Sequence, residues 1–224
     1  MPLGNSITMG RHGEPSGYRD DLAVLLLNDG IDFEMVGSVN DGSGFYPKHE
    51  GHSGWRADEI YDNLNYWLRL NPSDIVLLHI GTNDISQGES NDTTIVDIEN
   101  ILNLIHNRDQ STIILFCSLI PRFDPYENRP QRTEELNNLI YQLYLDKLNS
   151  GFDIYFVNQN QAFKNNGNWQ SEYMDDYVHP NDLGYHVMAE TFYSTLRSIL
   201  TNDCLLYTSP SPRDLSTSRM PSSA

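Results

Sequence analysis

The chain has 224 residues, of which 38% are hydrophobic and 20% are charged, and its formal net charge at pH 7 is −17. This length and composition fit one globular domain. The strong negative charge disfavours binding to nucleic acids and anionic membranes because like charges repel, and no apolar run reaches the roughly 18–20 residues that a membrane-spanning helix needs.

The first part of the chain predicts a strand, a helix, a second strand and a long loop. The first strand ends at Gly4 and is expected to be truncated, because so few residues precede it. A helix is predicted over 18–28, where Asp29-Gly30 ends it. The alternating residues 33–39 predict the second strand, and the Gly-, Ser- and His-rich stretch 40–54 predicts a functional loop.

The rest of the chain repeats a pattern of helix and strand. Each predicted strand is an apolar run of the kind buried on both faces of a parallel sheet, and each helix has apolar residues at helical spacing. Helices are predicted over 56–70, 93–106, 133–149 and 182–200, and strands over 74–80, 111–119 and 153–157. This alternation predicts an α/β fold, a three-layer α/β/α sandwich around a five-stranded parallel sheet.

The composition changes near the end of the chain. From Cys204 onward Ser, Pro and Arg dominate and hydrophobic periodicity is lost. We therefore predict a folded domain over 1–203 and a disordered, non-native tail over 204–224. Cys117, within an apolar run, is expected to be a buried thiol.

Polar residues follow the predicted strands at their carboxyl ends, where open α/β sheets bind ligands. Ser6 follows the first strand, Gly54 lies in the loop after the second, and Asn83 follows the third. Asp176 and His179 lie in the loop after the fifth strand. The sequence therefore predicts one site built from these loops.

The residue types at this site suit acyl transfer. A serine hydroxyl needs a base to become a good nucleophile, and His179 is the candidate base because imidazole changes charge near neutral pH. Asp176, three residues earlier, can hold the second ring N–H of that histidine. Taken alone, each residue also has a structural interpretation: Ser6 as a helix cap and the Asp-x-x-His-Pro stretch as a capped turn.

Donors to an oxyanion are also available. The candidates are the backbone N–H groups of Ser6 and Gly54 and the side-chain amide of Asn83, with Gly51 as the alternative glycine. His49 and His52 suggest a metal pair, but the sequence shows no third ligand, so we expect no metal and no other cofactor.

Four stretches in this order carry a resemblance to a known family: Gly4-Asn-Ser-Ile-Thr8, Gly54, Gly81-Thr-Asn-Asp84 and Asp176-x-x-His179-Pro180. They resemble the four sequence blocks of the SGNH (GDSL-type) hydrolase superfamily. The resemblance implies a flavodoxin-like sheet and a metal-free serine hydrolase. Asn5 stands where the family has Asp, and its carbonyl oxygen can accept similar hydrogen bonds.

Longer stretches resemble the carbohydrate-esterase branch that includes acetyl xylan esterases. They are His49-Glu-Gly-His-Ser-Gly-Trp55, Leu78-His-Ile-Gly-Thr-Asn-Asp84 and His179-Pro-Asn-Asp-Leu-Gly-Tyr185. This resemblance implies a secreted, extracellular esterase that removes O-acetyl groups from polysaccharides and is often linked to other carbohydrate-active modules.

Trp55, Tyr18 and Phe45 are candidates for an aromatic face that binds a sugar ring. The alternative for Trp55 is simple packing at a helix N-terminus. Two alternatives for the whole protein stay open: a general short-chain acyl esterase or lysophospholipase with the same triad, and a non-catalytic glycan-binding relic.

Overall fold

The computed structural model describes residues 1–10, 16–41, 44, 46–126 and 128–207, with side chains described as far as residue 200. Within these residues a six-stranded sheet lies at the centre of the molecule. Its strands are β1 (Pro2–Gly4), β2 (Val39–Asn40), β3 (Lys48–Gly51), β4 (Ile75–His79), β5 (Ile113–Cys117) and β6 (Ile154–Val157).

The strands lie in the order β2-β3-β1-β4-β5-β6. The β2 strand is antiparallel to β3, and every other neighbouring pair is parallel. The five parallel strands have the flavodoxin-like order in which the first strand in sequence lies second in space. The predicted α/β class is confirmed, whereas the predicted count of five strands misses the short antiparallel edge strand.

Helices cover both faces of the sheet. In chain order they are α1 (Ser6–Met9), α2 (Arg19–Asn28), α3 (Ala57–Leu70), α4 (Thr82–Gln87), α5 (Asn91–Arg108), α6 (Arg129–Asn149), α7 (Gln159–Lys164), α8 (Trp169–Glu172) and α9 (Asp182–Tyr207). The core on one face includes side chains of α3, α5 and α6, and the core on the other includes side chains of α2, α7 and α9.

The central strands supply both cores because successive side chains of a strand point to opposite faces. In β4, Val76 and Leu78 enter the first core and Leu77 enters the second. In β5, Ile114 enters the first core and Leu115 enters the second. Burial on both faces explains why these strands are continuous apolar runs.

The second parallel strand is not where the sequence pattern predicts it. Of the predicted strand 33–39, only Val39 is in a strand, and it pairs with His49 at the edge of the sheet. The second parallel strand is instead β3, Lys48–Gly51, which pairs with β1 and lies within the predicted loop 40–54. That prediction is wrong because β3 is polar, and its sequence therefore lacks the usual apolar signature of a buried strand.

The two buried polar side chains of β3, His49 and Glu50, are paired, as buried polar groups require. The ring of His49 donates from Nε2 to Asp41 at 2.6 Å, and its Nδ1 accepts the backbone N–H of Gly51 at 2.8 Å. Burial lowers the pKa of His49. The carboxylate of Glu50 accepts hydrogen bonds from the backbone N–H and hydroxyl of Ser38 and from the ring of His52.

The short helices α4, α7 and α8 lie in stretches for which the sequence pattern predicts no helix. The last helix, α9, continues through Tyr207, past the predicted domain boundary at residue 203. The rest of the predicted tail, 208–224, lies outside the described residues, so the boundary stays a prediction. None of the helices in the described part of the chain has both the length and the apolar character of a membrane span.

The replacement of Gly4 by alanine tests how tightly β1 is packed. A Cβ at Gly4 would overlap the carbonyl oxygen of His79 and the hydroxyl of Thr8. We expect Gly4→Ala to lower the free energy of unfolding by about 1–3 kcal/mol, as overpacking does, measured by urea denaturation. The control is Gly167→Ala, whose added Cβ meets nothing within 4 Å. Equal stability of the two variants would contradict the close packing at β1.

Candidate active site

Ser6 and His179 meet at the carboxyl edge of the sheet although 173 residues separate them in sequence. The Oγ of Ser6 lies 3.0 Å from Nε2 of His179. Ser6 is the first residue of α1, directly after β1, and the side chain of Asn5 caps this helix by accepting the N–H of Ile7 at 3.0 Å. Only 5% of Ser6 is exposed. The cap fixes the turn that carries the hydroxyl, as expected for an Asn in this position.

Asp176 completes the chain of hydrogen bonds. Its Oδ2 lies 2.8 Å from Nδ1 of His179, and its Oδ1 accepts the backbone N–H groups of Val178 and His179, each at 2.7 Å. Burial acts to raise the pKa of Asp176, but the hydrogen bonds from His179 and Val178 outweigh it, and the pKa lies below its ordinary value. An ionised Asp176 holds the proton on Nδ1 and leaves Nε2 to accept the Ser6 hydroxyl.

The loop that carries Asp176 and His179 is closed at its base. Met174 and Pro180 form an antiparallel bridge, and the N–H of Asp175 donates to the carbonyl of His179 at 2.9 Å. The two catalytic candidates are therefore held on one short closed turn. The structure brings together all three residues of the predicted triad.

The predicted oxyanion donors lie on neighbouring turns. The side-chain amide of Asn83, in the first turn of α4, donates to the carbonyl of Trp55 at 2.9 Å. The amide of Gln87, in the last turn of α4, donates to the carbonyl of Gly54 at 2.7 Å. These two bonds fix the turn at Gly54 against α4, and the φ of +85° at Gly54 favours glycine.

The alternative glycine, Gly51, has a structural role. Its N–H donates to His49, and a Cβ at this position would overlap the backbone of Met9. A hydrogen bond also joins the loop after β3 to β1, the strand that precedes Ser6: the N–H of His52 donates to the carbonyl of Gly4 at 2.9 Å. Gly54 is therefore the better candidate for the oxyanion donor.

Two arginines that the sequence analysis did not single out support α4: Arg122, which is buried with its partner Asp124, and the half-buried Arg129. Arg122 donates from Nε to Asp124 at 2.5 Å and from Nη1 to the hydroxyl of Ser86 at 3.1 Å. Arg129 adds a bond from Nη2 to the carbonyl of Ser86 at 2.9 Å. The available signal was an Arg-x-Asp stretch in the loop after β5, at the same edge of the sheet. These contacts fix the helix that carries Asn83.

The predicted sugar-binding aromatic residues do not form one face. Tyr18 is fully buried, with its ring centroid 4.8 Å from that of Phe192, so the prediction that it faces a sugar is wrong. Trp55 is half-buried and stacks on the ring of His52 at 4.6 Å, which agrees with packing next to the start of α3. Phe45 lies outside the described residues.

The two histidines considered for metal binding have separate acidic partners, Asp41 for His49 and Glu50 for His52. In the ranges that the structure describes, no group of three or more His, Cys, Asp or Glu side chains is placed to hold a metal ion.

The sequence of the chain matches a known family and a named relative. Residues 3–187 match the sequence model of the GDSL-like lipase/acylhydrolase family. The chain is 26% identical over 228 residues to the multidomain esterase of Ruminococcus flavefaciens, and the alignment covers 89% of this chain and 28% of that protein. The chain thus spans less than a third of the length of this curated relative.

Two solved structures of family 3 carbohydrate esterases resemble the chain. The enzyme from Clostridium thermocellum is 27% identical, with a TM-score of 0.76, over 90% of this chain and 96% of that one. The enzyme from Talaromyces cellulolyticus is 25% identical, with the same TM-score, over 90% and 97% of the two chains.

The pH dependence of stability tests the buried carboxyl beside Asn83. Asp84 is fully buried and accepts the N–H of Ala57 at 3.0 Å, and burial raises its pKa to about 6. The folded chain therefore binds this proton more tightly than the unfolded chain does. The resulting stabilisation is present below about pH 4 and is lost as the pH rises through about 6.

We expect the substitution Asp84→Asn to remove this dependence. Between pH 4 and pH 7 the free energy of unfolding of the variant should gain about 1–3 kcal/mol relative to wild type, measured by urea denaturation at each pH. The control is Asp62→Asn, at an exposed position on α3. Parallel pH curves for Asp84→Asn and wild type would contradict the assignment.

Proposed function

The chain belongs to the GDSL-like lipase/acylhydrolase family, and from this premise we propose that it is a serine esterase that removes O-acetyl groups from carbohydrate, with acetylated xylan as the model substrate. Family membership and the two carbohydrate-esterase structures support esterase activity. The observation that carries the proposal is the continuous hydrogen-bonded chain from Ser6 through His179 to Asp176.

In the first half of the reaction, the Oγ of Ser6 attacks the carbonyl carbon of the acetyl ester. The hydroxyl proton passes to Nε2 of His179, and the carbonyl oxygen becomes an oxyanion. The tetrahedral intermediate then collapses: the bond to the sugar oxygen breaks, and that oxygen takes the proton from His179. The products are the free sugar hydroxyl and acetyl-Ser6.

The second half repeats these steps with water. His179 takes a proton from water, the hydroxide adds to the acetyl carbon, and the bond to Ser6 breaks as the serine oxygen recovers the proton. Acetate leaves and the enzyme is restored. In both halves Asp176 keeps the ring oriented and stabilises the positive charge that forms on His179.

The oxyanion needs donors that are already in place. The amide of Asn83 has two hydrogens, and its bond to the carbonyl of Trp55 uses one of them. The second hydrogen, with the backbone N–H groups of Ser6 and Gly54, completes a set of three donors. The bond to Trp55 also fixes the amide, so that little reorganisation is needed when the negative charge develops.

We also propose that the domain acts outside the cell and, in a longer protein, beside other carbohydrate-active modules. The relative in Ruminococcus flavefaciens, which is named a multidomain esterase, supports this arrangement. A neutral polysaccharide is compatible with a protein of net charge −17, whereas an anionic polymer is repelled by it.

Replacing the nucleophile tests the proposed reaction. We expect Ser6→Ala to lower kcat for acetate release from acetylated xylan and from 4-nitrophenyl acetate by at least about 10³-fold, because the variant lacks the attacking oxygen of Ser6. The matched control is Ser150→Ala, at an exposed serine that follows α6, which should retain the wild-type rate. Turnover by Ser6→Ala near the control rate would show that Ser6 is not the nucleophile.

The acyl group that the wild-type protein prefers separates the proposed function from its alternatives. A carbohydrate O-acetyl esterase should release acetate from acetylated xylan and should lose kcat/KM as the acyl chain of a 4-nitrophenyl ester lengthens. Faster release of long acyl chains or of lysophospholipid acyl groups would favour the lipolytic alternative. Binding of xylan with no hydrolysis of any ester would favour the non-catalytic alternative.

Replacing Asn83 tests the oxyanion site. We expect Asn83→Ala to lower kcat for 4-nitrophenyl acetate by about 10²–10³-fold with a much smaller change in KM, because the lost donor acts on the charge that develops in the transition state. Asn83→Asp, which keeps the shape but loses the donor, should be similarly slow. A change confined to KM would assign Asn83 to substrate binding instead.

A further inference from the structure

The exposed large hydrophobic side chains of the described residues are unevenly distributed. Nine of the eleven lie on helices: Val24, Leu27, Tyr61, Tyr66, Leu70, Val96, Tyr141, Leu148 and Leu183. The other two are Tyr126, which is 60% exposed, and Tyr177, which is 50% exposed. Tyr126 lies in the loop after β5, and Tyr177 lies in the turn between α8 and α9 that carries His179, the partner of Ser6. Loops at the carboxyl edge of the sheet are where binding residues are concentrated in such folds.

Tyr177 belongs to an ordered group of aromatic rings. The ring of Phe123 lies edge-to-face with that of Tyr177, at a centroid distance of 5.2 Å and an angle of 74°. On Phe123 the ring of Trp169 also packs edge-to-face, at 5.7 Å and 80°. Phe123 and Trp169 are half-buried. Tyr177 is thus the exposed member of a packed cluster, which orients its ring at low entropic cost.

We call this cluster of Phe123, Trp169 and Tyr177 the aromatic platform. It is joined to the catalytic turn, which is the turn that carries Asp176 and His179. Tyr177 lies between Asp176 and His179 in sequence, inside the turn closed by the Met174–Pro180 bridge. The backbone N–H of Phe123 donates to the carbonyl of Tyr177 at 3.2 Å, so the loop after β5 is joined to the catalytic turn. A ring held on this turn keeps a fixed position relative to the base.

We propose that the aromatic platform binds the sugar ring of the acetylated substrate, with Tyr177 as the stacking residue. This inference rests on the proposed esterase function and names the subsite of that same site. A pyranose ring presents apolar C–H groups on its faces and hydroxyls around its rim, so an exposed aromatic ring beside polar groups suits it. The carboxylate of Asp176 provides such a polar group on the same turn.

The platform lies on a different flank of the site from the aromatic face that the sequence suggested. Tyr18 is in the core, and Trp55 packs against His52 beside α3. The platform instead comes from the loop after β5, from α8 and from the turn between α8 and α9, all of which follow the strands at the opposite end of the sheet from β3. The sugar chain therefore crosses the edge of the sheet on the β5–β6 side of Ser6, while the acetyl group reaches toward Asn83 and Gly54.

Two substrates distinguish stacking from catalysis. Acetylated xylo-oligosaccharide has sugar rings, whereas 4-nitrophenyl acetate has none, and both pass through the same acetyl-enzyme. We expect Tyr177→Leu to raise KM for the oligosaccharide about three- to ten-fold relative to KM for 4-nitrophenyl acetate. Tyr177→Phe should keep the wild-type ratio of the two KM values, because phenylalanine keeps the aromatic ring. The matched control is Tyr66→Leu, at a tyrosine that is 56% exposed on α3, which should change neither KM.

A second measurement uses the wild-type protein and does not depend on how a variant folds. Tetranitromethane nitrates exposed tyrosines, and xylohexaose without acetyl groups should protect Tyr177 but not Tyr66, as read by mass spectrometry of peptides. Protection of both tyrosines to the same degree, or of neither, would contradict the proposal that the platform binds sugar.

The outcomes also separate this inference from the function on which it rests. If the wild-type protein releases acetate from the oligosaccharide but Tyr177→Leu keeps the wild-type KM ratio, the proposed sugar-binding role of the platform is wrong and the esterase function stands. If the wild-type protein releases no acetate from the oligosaccharide while it hydrolyses 4-nitrophenyl acetate, both the carbohydrate function and the sugar-binding role of the platform are wrong.

Discussion

The hydrogen bond between Ser6 and His179 is the contact on which the proposed chemistry of this protein depends. It joins the end of β1, the third strand in the sheet order, to the turn between α8 and α9, which follows the edge strand β6 in the chain. A serine hydroxyl is a weak nucleophile until a base is beside it. The reactive pair therefore exists only when the whole sheet is assembled, and the bonds made by Asn5 and Asp176 keep the two side chains oriented once they have met.

The sequence predicted those parts of the fold in which local pattern and tertiary environment agree. The strands β4 and β5 are buried on both faces, and their sequences are therefore unbroken apolar runs that predict a buried strand. The strand β3 is buried as well, but His49 and Glu50 reach their partners Asp41 and Ser38 through tertiary structure. No local pattern reveals such pairing, and a polar stretch of this kind therefore resembles a loop.

The candidate site also has residues whose positions the sequence predicts and residues whose positions it does not. Ser6, Asn83 and His179 follow strands at their carboxyl ends, and in a parallel sheet those ends share one edge, so their proximity follows from topology. The aromatic residues depend on burial, which residue type does not determine. Tyr18 and Tyr177 are the same residue type, yet one is enclosed in the core and the other is half exposed beside the catalytic turn. Only the packed structure distinguishes them.

Covalent labelling of the wild-type protein with a fluorophosphonate, followed by peptide mapping, tests directly whether His179 activates Ser6. Such a probe reports a serine whose hydroxyl is activated by a base. We expect a single adduct on Ser6, and we expect this adduct to be lost when His179 is replaced by alanine in a variant that keeps the wild-type circular dichroism spectrum. No adduct on the wild-type protein, or labelling of Ser6 that is unchanged without His179, would show that His179 does not activate Ser6.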